Sequence, residues 1–130
     1  MPNKSRVKIA EKILWIDDDS RNIFALNAVL KARNYRCVAA CTAAEGIAML
    51  QSDKEIGIVL MDMMMPDMDG CEAIAQIRGS EKIPRIPVFA VTAQAIIGDK
   101  KRCLSAGAGD YISKPVEVDL LLSMVKPYFP

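Results

Sequence analysis

Residues 56–70 read IGIVLMDMMMPDMDG. The apolar run from Ile56 to Met61 has the length of a strand, and it delivers Asp62 before a turn built from Pro66, Asp67, Asp69 and Gly70. A continuously apolar strand is buried on both faces, as in a parallel sheet covered by helices. Asp62 then stands at the C-terminal edge of that sheet, where open α/β sheets bind their ligands.

On either side of this stretch the chain alternates strand and helix. Ile13 to Ile16 form a short apolar strand that ends in Asp17, Asp18 and Asp19. From Ser20 to Asn34 the residues Ile23, Phe24, Leu26 and Leu30 recur at helical spacing, with Asp19 or Ser20 as cap. Tyr35 to Ala40 reads as a strand and Thr42 to Gln51 as a helix, with Thr42 and Glu45 in capping-box positions. Gly70 to Arg78 reads as a helix and Val88 to Val91 as a strand ending in Thr92. Ala93 to Ala106 carries helical spacing despite Gly98, stopped by Gly107 and Gly109. Tyr111 and Ile112 form a last strand before Lys114 and Pro115, and Val116 to Lys126 a last helix halted by Pro127. Fivefold alternation predicts an α/β domain, a doubly wound five-stranded parallel sheet with right-handed crossovers. Residues 1–11, with Lys4, Arg6 and Lys8, read as a lead-in or linker, and residues 12–130 as the domain.

Composition excludes several functions. With 52% hydrophobic and 25% charged residues the chain is ordinary for a globular domain. A net charge of +1, from 17 basic and 16 acidic residues, creates no field that would recruit nucleic acid or an anionic membrane. No apolar run approaches the roughly 20 residues of a membrane span, and the expected location is cytoplasmic. The absence of histidine removes imidazole bases, nucleophiles and metal ligands together. Cys37, Cys41, Cys71 and Cys103 form no CxxC pair; Cys37 and Cys41 on one strand would lie about 13 Å apart, so buried reduced thiols are expected.

What remains is a constellation of strand ends. Asp17 and Asp18, Asp62, Thr92 and Lys114 would all lie on one edge of a parallel sheet. Carboxylates gathered there repel by about 4 kcal/mol per close pair at an effective dielectric near 20, unless a cation sits among them. Oxygen ligands without imidazole or thiolate favour Mg²⁺, which completes its shell with water and phosphate oxygens. Carboxylate, Mg²⁺, hydroxyl and ammonium together are the equipment for phosphoryl transfer to a carboxylate. Asp62 is the expected nucleophile, Asp18 a direct metal ligand, Asp17 an outer one, and the backbone carbonyl near Met64 a further ligand. Lys114 and Thr92 would hold the incoming phosphoryl oxygens.

These residues carry a family resemblance over residues 12–126. Asp17 and Asp18 after ILWI, Asp62 in LMDMMMPDMDG, Thr92 and Ala93 in VFAVTA, and Lys114 and Pro115 in DYISKP make the chain similar to the receiver domains of two-component response regulators, CheY-like proteins. The resemblance implies a flavodoxin-like fold with five helices around the sheet. It implies a phosphohistidine donor on a histidine kinase or histidine phosphotransfer domain, a labile acyl phosphate on Asp62, and a typically cis bond before Pro115. It also implies a switch pair, Thr92 and Tyr111, that reports to the fourth helix, fifth strand and fifth helix, including Lys100, Lys101, Arg102 and Tyr111. Phosphorylation-dependent homodimerisation through the fourth-helix face is a habit of the family. Met64 and Gln94 occupy positions where the family tunes phosphoryl lifetime. The stretch AQAIIGDKKRCLSAGAGDYISKPV is similar to receivers attached to hybrid sensor kinases, which would make the lead-in a linker stub.

Plainer readings exist for single residues. Asp67 and Asp69 suit turn or helix-cap acids, Asp19 a cap, and Tyr111 alone simple packing. The methionines around Asp62 suit gap-filling better than a Cu(I) site. A phosphohydrolase of the haloacid dehalogenase type would use Asp17 and Asp19, but Arg21 stands where its motif needs Thr or Val, and Asp62 would be idle.

Overall fold

The computed structural model describes residues 11–63, 65, 67–92, 101, 104–114 and 116–129. Its sheet has five parallel strands in the order β2-β1-β3-β4-β5, formed by β1 (Lys12–Ile16), β2 (Cys37–Ala40), β3 (Ile56–Asp62), β4 (Val88–Thr92) and β5 (Asp110–Ser113). Helix α1 (Ser20–Ala32) follows β1, α2 (Ala43–Ser52) follows β2, and α3 (Gly70–Gly79) follows β3; the C-terminal helix is Val118–Val125. Residues 101 and 104–106, before β5, are also helical. The expected doubly wound α/β architecture is the observed one.

The apolar strands are buried on both faces, and side chains alternate between two cores. Leu14, Ile16, Val59, Met61 and Ala90 pack against Leu50 of α2 and Ile74 and Ile77 of α3. Ile13, Trp15, Ile58, Leu60, Val91 and Ile112 pack against Leu26 and Leu30 of α1 and Leu121 and Val125 of the C-terminal helix. Every residue of β3 is buried. This is the signature expected of its unbroken apolar run, as opposed to a half-exposed alternating strand.

Local signals set most boundaries. Asp19 caps α1 by accepting from Arg21 N, and Asp69 caps α3 by accepting from Cys71 N. At α2, Thr42 accepts from Glu45 N while Glu45 Oε1 accepts from Cys41 N, a capping box whose return bond falls one residue earlier than usual. The structure also corrects three expectations. Helix α1 stops at Ala32 and β2 starts only at Cys37, because Asn34 takes a left-handed φ of 70° and Tyr35 N turns back to Leu30 O. The last helix starts at Val118, since Glu117 has the extended backbone of an N-cap. The α-helix ends at Val125 with Lys126 as C-cap, just before Pro127 as expected, and Pro127 itself sits in a 3₁₀ turn, Lys126–Tyr128, where a missing N–H is tolerated. Cys41 is exposed rather than buried, since β2 ends at Ala40, whereas Cys37 and Cys71 are half-buried; all three are free thiols, and burial pushes the Cys37 thiol up to about 11. Residues 1–10, most of the fourth helical segment, Cys103 and the bond before Pro115 lie outside the described residues.

Helix α2 crosses β1 closely. A Cβ on Gly46 would come within 2.4 Å of Ile16 Cδ1 and 2.8 Å of its Cγ1, and Ile16 is fully buried, so it can yield only by pressing on its core neighbours. Alanine would gain about 1 kcal/mol in helix propensity but lose about 1–3 kcal/mol to overpacking. Gly46→Ala is therefore expected to destabilise the fold, measured as a lower midpoint in chemical denaturation with an unchanged slope.

Candidate functional site

Strand register assembles the site. Ile16 lies opposite Met61, so the next residues, Asp17 and Asp62, emerge side by side from β1 and β3. Asp62 lies opposite Val91, which places Thr92 one step further along β4, and Thr92 lies opposite Ser113, which places Lys114 one step beyond β5. Backbone bonds lock this staircase: Met63 N donates to Val91 O at 2.9 Å and Lys114 N to Thr92 O at 2.7 Å.

The site is where the fold spends its buried polarity. Among the described residues, the buried polar side chains are Asp17, Asp62 and Thr92, at 0, 2 and 6% exposure. Asp18 is exposed beside them, and carboxylate oxygens of Asp17, Asp18 and Asp62 all lie within 4.8 Å of one another. Lys114 Nζ reaches Asp62 Oδ2 at 3.2 Å. Tyr111 is half-buried on β5, opposite Ala90, and packs against the α2–α3 side of the core. Lys101 is exposed, while Met64, Gln94, Lys100 and Arg102 lie outside the described residues.

Asp17 and Asp62 are held differently. Both oxygens of Asp17 accept protein hydrogen bonds, Oδ1 from Asp19 N at 2.9 Å and Oδ2 from Asn22 Nδ2 at 3.3 Å. Its orientation is thereby fixed. Burial raises the pKa of Asp17 above the usual carboxylate value, the Asp62 carboxylate adds to the rise, and the Asp19 amide and Lys114 oppose it. The donor chemistry fits a hard divalent cation: three carboxylates converge, two of them desolvated, in a chain without histidine.

Two supporting residues escaped the sequence. Asn22 lies in the first turn of α1, and only the proximity of that turn to β1 reveals its amide on Asp17. Asp67, read from sequence as a cap or turn acid, caps the earlier helix α2, accepting at 3.3 Å each from Ala43 N and Ala44 N, which lie 24 and 23 residues before it. Asp69, by contrast, caps its own helix, as its position before Gly70 suggested. Among the described residues no helix is long and apolar enough to cross a membrane.

Comparison with known proteins agrees with this geometry. Residues 13–126 match the family model of the response regulator receiver domain. The chain is 32% identical over 130 residues to the signal transduction histidine-protein kinase BarA of Escherichia coli K12; the match takes in 100% of this chain and 14% of that kinase. It is 28% identical over 120 residues to the polar-differentiation response regulator DivK of Brucella ovis, covering 92% of this chain and 97% of DivK. The crystal structure of the receiver domain of the sensor histidine kinase PA1611 from Pseudomonas aeruginosa PAO1, with a magnesium ion coordinated in its active-site cleft, matches at a TM-score of 0.82 and 29% identity over 92% of this chain and 97% of that one.

The crowding at Asp17 has a measurable cost. Because its pKa is raised in the fold, its contribution to stability is greatest at pH below the ordinary value of 3.8 and declines as pH rises through the raised one. Asp17→Asn removes this buried, pH-dependent charge, while exchanging one of its two acceptor oxygens for a donor. The same substitution should flatten the decline with pH, as followed by thermal unfolding between pH 4 and pH 7, a range of about three units around carboxylate titration.

Proposed function

Because the chain belongs to the response regulator receiver domain family, we propose that Asp62 is its phosphoacceptor, taking a phosphoryl group from a phosphohistidine of a histidine kinase or histidine phosphotransfer domain. The observation that carries this reading is the selective burial of Asp17, Asp62 and Thr92 at one sheet edge, with Lys114 reaching over Asp62.

The two buried carboxylates divide the work by their partners. Asp17, with both oxygens committed to Asp19 N and Asn22, is suited to a fixed position and not to bond formation. Asp62 is suited to attack: one of its oxygens bonds to phosphorus while the phosphorus–nitrogen bond to the donor imidazole breaks. That electron pair stays on the ring nitrogen, and the product is an acyl phosphate. Lys114 Nζ, now 3.2 Å from Asp62 Oδ2, passes to a phosphoryl oxygen, and the Thr92 hydroxyl donates to another. Asp17, Asp18, Asp62 and the backbone carbonyl of Met64 would hold Mg²⁺. When bound, Mg²⁺ supplies charge neutralisation and a template for phosphate oxygens. Water attack on the phosphorus later returns Asp62 and free phosphate. The chain thus performs self-phosphorylation and self-dephosphorylation, and turns over no separate substrate.

The mark is read through β5. Thr92 shifts toward the phosphoryl group, and Tyr111, on the same sheet face as its neighbour Ala90, follows into the space vacated. Two charge-assisted bonds at roughly 1.5–3 kcal/mol each approach the roughly 5.5 kcal/mol that inverts a 1:99 equilibrium. The fourth-helix, fifth-strand and fifth-helix face then changes its partners, homodimerisation included. Similarity to the histidine-protein kinase BarA, of which this chain spans 14%, supports a receiver within a larger kinase; residues 1–11 are read as linker, 12–130 as the domain, and the location as cytoplasmic.

Incubation with acetyl phosphate and Mg²⁺ should add a single hydroxylamine-labile phosphoryl group, read by intact mass. Asp62→Asn should gain none; a labile gain in that variant would move the acceptor elsewhere. Lys114→Ala should remain folded and slow the reaction about a hundredfold, the usual cost of one lost charge-stabilising donor.

A further inference from the structure

The turn between β3 and α3 is anchored at several points. Its first residue, Met63, donates from its N–H to Val91 O at 2.9 Å. Met65 is 8% exposed, and Met63 and Met68 pack against the α2–α3 core. Gly70 admits Met63 so closely that a Cβ there would lie 2.8 Å from the Met63 Cα and 2.6 Å from its Sδ. These contacts are apolar or lie within β4 and the turn itself. Asp67 supplies a tie of another kind.

The Asp67 carboxylate is exposed, yet both of its oxygens are engaged, Oδ1 by Ala43 N and Oδ2 by Ala44 N, at 3.3 Å each. Those amides are the first two of α2, and Thr42 takes the third, from Glu45. A helix normally meets these donors from its own neighbouring residues or from water. Here they are met from 23 and 24 residues away, by a charged group at the positive end of the helix. Two-point attachment also fixes direction, which a single bond would leave free.

We infer that Asp67 is a positioning residue for the cation site: by clamping the β3–α3 turn onto the first amides of α2, it holds in place the turn that leaves Asp62. The inference rests on the Mg²⁺ site proposed above. Asp67 itself touches neither the phosphoryl group nor the cation; it acts through the turn. The physical consequence is a link between the N-terminus of α2 and the acceptor edge, so that whatever displaces α2 loosens the cation.

Amide NMR of the full chain titrated with MgCl₂ tests this, with hydrogen exchange read at Ala43 and Ala44. Asp67→Ala should weaken Mg²⁺ binding about tenfold, the lower end of what loss of an outer-shell partner costs, and should unprotect both amides. Asp67→Asn, which keeps one acceptor, should fall between Asp67→Ala and the unmodified chain on both readouts. Thr42→Ala removes a cap of α2 without touching the turn, and should lower stability while leaving Mg²⁺ affinity unchanged. Unchanged affinity in Asp67→Ala overturns the clamp and leaves the Mg²⁺ site standing. Equal weakening in Asp67→Asn and Asp67→Ala that vanishes at high salt also overturns it, since charge alone would then be acting. A chain that binds no Mg²⁺ at all overturns the site, and the clamp with it.

Discussion

Two carboxylates, Asp17 and Asp62, are buried side by side at the end of a parallel sheet, and the rest of the structure is arranged around the cost of keeping them there. Neither can escape into solvent, because each continues a strand whose preceding residues are fully buried. The fold answers with an ammonium over Asp62 and amide donors on Asp17, and it sets an exposed third carboxylate, Asp18, within 4.8 Å of the pair. A site of this kind is poised: a bound cation would offset repulsion already held in the resting fold.

Stiffness beneath the site holds these groups in place. Two cores, one on each face of the sheet, hold β1, β3 and β4 in register, and the register alone sets Asp17, Asp62 and Thr92 at adjacent steps. The turns above the edge carry the adjustable parts. Among them the β3–α3 turn is tethered by Asp67 to α2, and the segment leading from β5 is tethered through Lys114 to both Asp62 and the backbone of Thr92. Rigid strands beneath and tethered turns above divide the work between positioning and response.

Much of this was readable in the chain itself, for identifiable reasons. The uninterrupted apolar run before Asp62 implied a doubly buried strand, and β3 is buried throughout. Asp19, Thr42 and Asp69 sit where a cap satisfies local amides, so their bonds depend on a few neighbouring residues and are visible in sequence. The misjudged boundaries between α1 and β2 have equally particular causes. Tyr35 has strand propensity, but the left-handed turn at Asn34 and an edge-on contact with the Phe129 ring at 4.8 Å take it out of β2. The stop read at Pro127 holds for the α-helix, which ends at Val125, and the chain goes on in a 3₁₀ turn that carries Tyr128 and Phe129 back toward Phe89 and Tyr35. Aromatic packing between distant segments accompanies both features.

The sequence by itself determined the alternation of strands and helices, the edge at which Asp17, Asp18, Asp62, Thr92 and Lys114 gather, and the chemistry that such a set supports. These follow from periodicity and from the rule that parallel strands end on one side, both properties of local pattern and chirality. Only the tertiary structure decided that Asp17 would be gripped by Asn22 while Asp62 faced Lys114, and that Asp67 would cap a helix behind it in the chain. Those pairings join segments separated by loops whose closure costs entropy but leaves no periodic trace, so they exist only once the two cores have brought the sheet edge together.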